Sequence, residues 1–251
     1  MNKIIIFVIY PVSIFLINLL FRLPFLFSLI SFYGVPALYV SIKNRQHIQR
    51  AFAVSFAVFP LFVVFDYMGL INKAWFNGST LWDFRIIDIF TIEELLWALF
   101  LNYFIAIVYF SYINTIAVIR PKVVPCFAIF SAFLMGFFFV IKDVGLIIIP
   151  HFYIIFGLIV IVPPILLNFY KKIIPIKRFL WIMLYFAFFH FLYEIAGVHL
   201  KWWEFQGVDY LAQVSIFGAT FPLEELIFWV IMGVPSSLVY LHLAYKSEVR
   251  M

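Results

Sequence analysis

The chain has 251 residues, of which 67% are apolar and 12% are charged, with one cysteine and a net charge of +5. A mean hydropathy of +1.12 excludes a water-soluble domain with a polar surface, and it predicts a polytopic membrane protein. The lone Cys126 excludes a disulfide framework and a thiolate metal cluster.

Eight apolar runs have the length of roughly 17 to 25 residues that crosses about 30 Å of hydrocarbon as a helix. In chain order they are Ile4–Leu20, Leu23–Ile42, Ala51–Leu70, Thr91–Ile113, Val124–Ile141, Val144–Asn168, Phe179–Val198 and Pro222–Tyr245. Arg22 and Pro24 separate the first two runs. No small-residue cleavage pattern follows the first run, so we expect it to be retained as a helix. The predicted fold class is therefore an all-α membrane protein with about eight transmembrane helices.

The basic residues predict the orientation, because short loops rich in lysine and arginine stay on the cytoplasmic side. With eight spans, twelve of the seventeen basic residues fall on one side and five on the other. Both termini are therefore expected in the cytoplasm and the protein in the cell membrane. The positive charge is explained by this topology and by contact with anionic lipids, and no nucleic-acid partner is expected.

The acidic residues are distributed in the opposite way. All except Glu248 are expected at or near the outer ends of the spans, although acids contribute little to setting topology. They are Asp66, Asp83, Asp88, Glu93, Glu94, Asp143, Glu194, Glu204, Asp209, Glu224 and Glu225. Their position predicts a carboxylate-rich site on the outer half of the protein.

The chain also matches itself at an offset that grows from 128 to 131 residues. Asp66 aligns with Glu194 in "DYMG" and "EIAG", at an offset of 128, and the pair Glu93–Glu94 aligns with Glu224–Glu225 at an offset of 131. The order of acids, glycines and basic loops predicts two tandem repeats, residues 1–123 and 124–251, with about four helices each. Because each unit has an even number of spans, the copies are expected to run parallel and to face each other across one cavity.

The paired glutamates have two explanations. Acids in the first turn of a helix stabilise it by roughly 0.3–1 kcal/mol each, and Pro222 fits a helix start. Capping alone does not explain two adjacent acids in both copies at the edge of hydrocarbon. Ionisable residues within spans are costly and usually functional, and clustered buried carboxyls tend to retain a proton at neutral pH. A general acid beside a general base is therefore expected.

His190 and Glu194 are four residues apart, on one helix face and within reach of a hydrogen bond. This spacing fits either a proton-shuttling pair or a buried structural pair. The sequence has no HExxH motif and no closely spaced second histidine, so no metal is expected. Nucleotide-binding loops, a GxSxG motif and aspartate-rich diphosphate motifs are also absent. The interpretation that remains is acid–base chemistry on a molecule that dissolves in the bilayer.

The segment "PLEELIFW", residues 222 to 229, resembles the Pro-x-Glu-Glu motif of the integral-membrane carotenoid cyclases. These are the lycopene β-cyclases that occur as heterodimers in some actinobacteria and as fused repeats in archaea and fungi. The family's motif falls on Glu224 and Glu225, and by repeat symmetry on Glu93 and Glu94. Thr91 stands where the first copy would have proline. Asp66, Glu194 and His190 join these candidate catalytic residues from the alignment and spacing above.

The resemblance implies a redox-neutral cyclisation of a linear polyene, such as lycopene, taken from the lipid phase. No cofactor is required, and an intramolecular lyase or isomerase activity is expected, with Glu224→Gln and Glu225→Gln abolishing it. Association with other carotenoid enzymes or with a second copy is compatible with this interpretation. A carotenoid hydratase or isomerase would use the same protonation. A proton-coupled transporter would also have midmembrane acids and parallel repeats.

Overall fold

The computed structural model describes residues 8–113 without 79, 83, 87 and 88, then residues 129, 133, 134 and 136, and residues 147–245 without 208. The longer helices of this part are α1 (Tyr10–Phe21), α2 (Phe25–Lys43), α3 (Ile48–Ile71), α4 (Ile92–Ile113), α5 (Phe152–Lys171), α6 (Ile176–His199), α7 (Glu225–Ile231) and α8 (Gly233–Tyr245). Cys126 lies outside the described residues.

The prediction of an all-α membrane protein is confirmed. Five described helices, α2 to α6, are long and apolar enough to cross a membrane, and α7 with α8 would form a sixth span bent by 47°. Large apolar side chains such as Phe21, Tyr170 and Trp181 are exposed, as expected for surfaces that contact lipid. Of the other two expected spans, Val124–Ile141 lies largely outside the described residues. Helix α1 has 12 described residues, and residues 1–7 before it are not described.

The break between the first two helices lies where the sequence predicted it. Arg22 adopts a left-handed conformation with φ of 47° and caps α1, and Pro24 precedes the first residue of α2. A proline at this position cannot continue the preceding helix. The two apolar runs therefore form separate helices, and the N-terminus of α2 brings Phe25 into the interior.

Two short antiparallel hairpins precede α4 and α7. Strand β1 (Arg85–Ile86) pairs with β2 (Phe90–Thr91), and β3 (Gln213–Ile216) pairs with β4 (Ala219–Pro222). The second hairpin turns at Phe217 and Gly218, which both have positive φ, as in the turns that match strand twist. Each hairpin is followed directly by a helix, α4 or α7, that begins at a pair of glutamates.

Several elements correspond at the spacing found in the sequence. Helices α3 and α6 both have 24 residues, and their first residues are 128 positions apart. After each helix a lysine, Lys73 or Lys201, has a positive φ of 56° or 57°. The segments that follow, residues 72–91 and 200–222, lie at the same end of the molecule, which we call the loop end. Phe76 and Glu204 join them by an antiparallel backbone bridge.

The core between the helices is largely aromatic. Tyr33 from α2 packs edge-to-face on Phe189 and Tyr193 from α6, with ring centroids 5.6 and 4.9 Å apart. Phe104 from α4 contacts Phe189 at 5.9 Å. Edge-to-face packing is the favourable arrangement for such rings. The core holds α2, α4 and α6 together below the loop end.

Candidate active site

A cavity of about 70 Å³ lies at the loop end, and fourteen residues line it. Twelve of them form six pairs of aligned positions, at the offset of 128 found in the sequence, or of 131 for the glutamates. The pairs are Phe25 with Tyr153, Phe65 with Tyr193, Asp66 with Glu194, Trp75 with Trp203, Asn77 with Phe205 and Glu94 with Glu225; Trp97 and Trp229 complete the lining. Four carboxyl groups therefore meet in one aromatic chamber.

Glu194 and Glu225 form the more connected carboxyl pair. Their side chains lie within hydrogen-bonding reach of each other, and both residues are buried, with exposures of 1% and 5%. The Trp203 indole donates to Glu194 Oε1 at 2.7 Å, and the Tyr153 hydroxyl donates to Glu225 Oε2. Two buried carboxyl groups this close to each other do not both ionise, so this pair can both give and accept a proton.

Asp66 and Glu94, the corresponding pair, have different partners. The Trp75 indole donates to Asp66 Oδ1 at 2.9 Å, which parallels the bond from Trp203 to Glu194. Glu94, however, accepts from the Asn77 amide and from the backbone N–H of Thr91. These hydrogen bonds hold the Glu94 carboxylate at the start of α4.

The difference between the two carboxyl pairs comes from Thr91. Its hydroxyl accepts from Glu94 N at 3.2 Å and its own N–H donates to the Glu94 side chain, which completes a capping box. The corresponding residue before α7 is Pro222, which has no N–H to donate, and α7 has no side-chain cap. Glu225 is therefore available to Tyr153 and Glu194.

The first member of each glutamate pair lies outside the cavity lining. Glu93 Oε1 accepts from the backbone N–H of Leu81, and Glu224 Oε1 accepts from that of Leu211, both at 2.5 Å. The other carboxylate oxygen of each, Oε2, has no hydrogen-bond partner among the described residues. Glu93 and Glu224 thus tie the two loop segments to the helix starts.

Two glycines allow the indoles of Trp75 and Trp203 to pack directly against the helix backbone. A Cβ on Gly69 would overlap the indole of Trp75, and a Cβ on Gly197 would overlap that of Trp203. Each glycine lies three residues after the acid that its tryptophan contacts. Close packing of indole against backbone therefore sets the direction of both N–H donors.

His190 does not bond to Glu194, although the spacing placed it within reach. Its ring instead stacks on Trp229, with centroids 5.5 Å apart and an interplanar angle of 15°. The one-turn spacing puts both residues on one face, but the packing of Trp229 decides where the ring points. His190 lies behind the cavity wall.

The loop aromatics divide into two groups. Trp75, Trp203 and Phe205 line the cavity, whereas Phe76, Trp82 and Phe84 are exposed. The indoles' role as donors could have been inferred from their constant spacing of nine residues after Asp66 and Glu194.

Sequence reasoning missed Tyr153 and Asn77 as partners of the carboxyl groups. Their counterparts in the other half of the chain are Phe25 and Phe205, so no repeated polar pattern marks them. Among the described residues, no group of three or more His, Cys, Asp or Glu side chains is arranged to hold a metal ion.

Comparison of the chain with protein-family models, curated proteins and solved structures found no match. The likeness to carotenoid cyclases therefore depends on the glutamate motifs alone.

Proposed function

We propose that this protein is a membrane carotenoid cyclase that closes the ends of a linear polyene such as lycopene. The observation that carries the proposal is the adjacent pair of buried carboxyl groups, Glu194 and Glu225, inside an aromatic chamber. Such a pair contains one proton to donate and one site to receive a proton, which is what a redox-neutral cyclisation requires.

The reaction proceeds in three steps. A proton from the Glu194–Glu225 pair adds to the terminal C1=C2 bond and leaves a tertiary cation at C1. The C5=C6 bond attacks C1, which forms the ring and moves the cation to C5. A carboxylate of the pair then removes the proton from C6, so that a C5=C6 double bond forms and the pair regains its proton.

The aromatic lining supports this chemistry. Trp97 and Trp229 lie with ring centroids 5.3 Å apart, and Phe65 and Tyr193 line the same chamber. The face of an aromatic ring stabilises a cation by about 0.5–2 kcal/mol per well-placed contact. Indoles are the most effective of these rings, so the two tryptophans are suited to the cationic intermediate.

Substrate entry requires movement of the lining. A cavity of about 70 Å³ has room for a few water molecules, whereas the reacting end of a polyene contains about ten carbons. We propose that the polyene enters from the bilayer between helices and displaces the rings of Trp97 and Trp229. Closure of these rings around the chain end then excludes water from the cation.

We also propose that the chain is a tandem duplication with eight spans, residues 1–123 and 124–251. Support comes from the six pairs in the cavity lining and from the equal lengths of α3 and α6. The loop end is assigned to the outer side of the cell membrane, with both termini cytoplasmic, because the basic residues concentrate in the opposite loops.

The same cavity favours an enzyme over a proton-coupled transporter. The four carboxyl groups lie together at the loop end, and aromatic rings below them fill the core between α2, α4 and α6. A transporter would need polar groups that continue toward the other membrane face.

Expression of the chain in a bacterial host that accumulates lycopene tests the proposal. Chromatography of the pigments should find monocyclic or bicyclic product. Unchanged lycopene in membranes that contain the folded protein would contradict the proposal, and an exclusively hydroxylated product would indicate a hydratase. The inactive control is Glu225→Gln, which keeps the shape of the side chain without its acidic proton.

A further inference from the structure

A second cavity lies at the loop end, against the outside of α5. Its volume is about 170 Å³, and polar side chains line it, including Lys73, His151, Gln206, Asp209 and Tyr210. The first four of these residues are exposed. We call this cavity the vestibule. A polar space of this size that opens to solvent readily holds water.

The wall of the vestibule is held in place by Tyr210. The Tyr210 hydroxyl donates to Lys73 O at 3.2 Å and to Ala74 O at 3.0 Å, and it accepts from Gly207 N at 3.0 Å. Burial raises the pKa of Tyr210 to about 12, so the hydroxyl keeps its proton as a donor. These bonds join residues 73–74 to residues 207–210, one segment from each copy.

Tyr153 separates the vestibule from the carboxyl cavity. Among the described residues it alone lines both spaces. Its ring packs against Trp75 with centroids 5.6 Å apart, and its hydroxyl is held by Glu225. The side chain is only 6% exposed. A single aromatic ring therefore stands between a polar, solvent-open space and the Glu194–Glu225 pair.

The aligned position in the first half of the chain does not line the vestibule. Phe25 occupies the position that aligns with Tyr153 in the first half of the chain, and it packs on Trp202 and Trp203, with ring centroids 5.9 and 5.7 Å away. Phe25 lines the carboxyl cavity but not the vestibule. The chain thus offers a matched position at which loss of a ring would enlarge the cavity without opening it to the vestibule.

We propose that Tyr153 keeps vestibule water away from the carboxyl cavity and thereby determines whether the polyene cation closes to a ring or is captured by water. This inference rests on the proposed cyclase function. Capture has a defined balance of atoms. The acid's proton adds to C2, the oxygen of water bonds to C1, and water's proton passes to the carboxylate. The product is a tertiary alcohol, and neither oxidant nor reductant is consumed.

The variant Tyr153→Ala joins the two spaces and tests the inference in the lycopene-accumulating host. The wild-type protein should form cyclic product, whereas Y153A should form the alcohol at the expense of the ring. We expect the ratio of alcohol to ring to rise by about tenfold or more. Membranes supplied with lycopene in ¹⁸O-labelled water should place the label in the alcohol, because vestibule water is its source.

Two control variants distinguish the exclusion of water by the Tyr153 ring from other roles of this residue. Tyr153→Phe keeps the ring and should leave the product ratio at the wild-type value, although it loses the bond to Glu225. Phe25→Ala should also form no alcohol, because Phe25 does not line the vestibule. If Y153A does not accumulate in the membrane, Tyr153→Leu opens the same wall with a smaller loss of packing.

The outcomes are distinct. Cyclic product without alcohol from folded Y153A or Y153L would overturn the role of Tyr153 and leave the cyclase proposal intact. Folded variants that form neither product would assign Tyr153 to proton transfer and would also overturn water exclusion. A wild-type protein without any product contradicts the cyclase proposal itself, and this inference falls with it.

Discussion

Phe76 and Glu204 occupy aligned positions in the two halves of the chain, and they exchange both bonds of an antiparallel backbone bridge. Phe76 N donates to Glu204 O at 2.8 Å, and Glu204 N donates to Phe76 O at 2.7 Å. Because each residue plays the same part for the other, the bridge has the symmetry of a two-fold axis. The residues on either side, Trp75 and Asn77 in one segment and Trp203 and Phe205 in the other, line the cavity.

The first prediction is that cysteines at positions 76 and 204 form a disulfide. Residues that exchange both hydrogen bonds of an antiparallel pair have Cα atoms about 5.5 Å apart, which lies within the range of disulfides. Mild oxidation of membranes containing Phe76→Cys/Glu204→Cys should change the protein's mobility in non-reducing electrophoresis, and a reductant should reverse this.

The single variant Phe76→Cys serves as the control, because Cys126 is the only native thiol in the sequence. No reducible change is expected from it. A double variant that stays reduced under the same oxidant would contradict the pairing of the two segments.

The sequence predicted the parts of this architecture that depend on long-range regularity. Apolar length identified the spans that the structure describes as α2 to α6, and the aligned acids identified the carboxyl cluster. In both cases the signal is spread over many residues or occurs twice. The cavity is lined by Asp66, Glu94, Glu194 and Glu225.

The direction of individual side chains could not be predicted, because it depends on one or two local contacts. Adjacent helical positions point about 100° apart, and the backbone bonds from Leu81 and Leu211 decide that Glu93 and Glu224 turn toward the loops. The stacking of Trp229 decides the orientation of His190. The hairpins are too short to give a clear alternating pattern, so the sequence did not distinguish them from loops.

The second prediction concerns the glycines beneath the tryptophans. Gly69→Ala and Gly197→Ala each place a methyl group where the indole of Trp75 or Trp203 lies. Either change should lower the free energy of unfolding by about 1–3 kcal/mol, as overpacking does, and should weaken the bond from the indole to its acid. Thermal denaturation in detergent, followed by tryptophan fluorescence, measures the loss.

Gly78→Ala is the matched control for the second prediction, since the nearest atom to a Cβ there is Lys201 O at 3.6 Å. It should leave the unfolding temperature close to that of the wild type. Equal stability of all three variants would mean that the indoles are not held against the helices.

The third prediction concerns Thr91, the residue that distinguishes the two glutamate pairs. Thr91→Pro removes the N–H that donates to Glu94 and the hydroxyl that accepts from Glu94 N. Loss of an N-cap costs about 0.5–2 kcal/mol, so T91P should unfold at lower temperature than the wild type. Thr91→Ser keeps both groups and should remain near the wild-type temperature. If T91P and T91S were equally stable, the capping box would contribute nothing to α4.

The fourth prediction separates the glutamates by function. Glu225→Gln removes the acidic proton that the pair of Glu225 and Glu194 holds, so cyclic product from lycopene should fall below detection while the protein still accumulates in the membrane.

Two comparison variants keep this pair. Glu94→Gln loses acceptor strength in the capping box, and Glu224→Gln can still accept from Leu211 N through its amide oxygen. Both should lower the unfolding temperature more than they lower product formation, which revises the sequence-based expectation that Glu224→Gln abolishes the activity, because Glu224 does not line the cavity. Chromatography of pigments, normalised to folded protein, measures the difference. Loss of product in E94Q or E224Q equal to that in E225Q, at unchanged stability, would mean that the chemistry is not confined to Glu194 and Glu225.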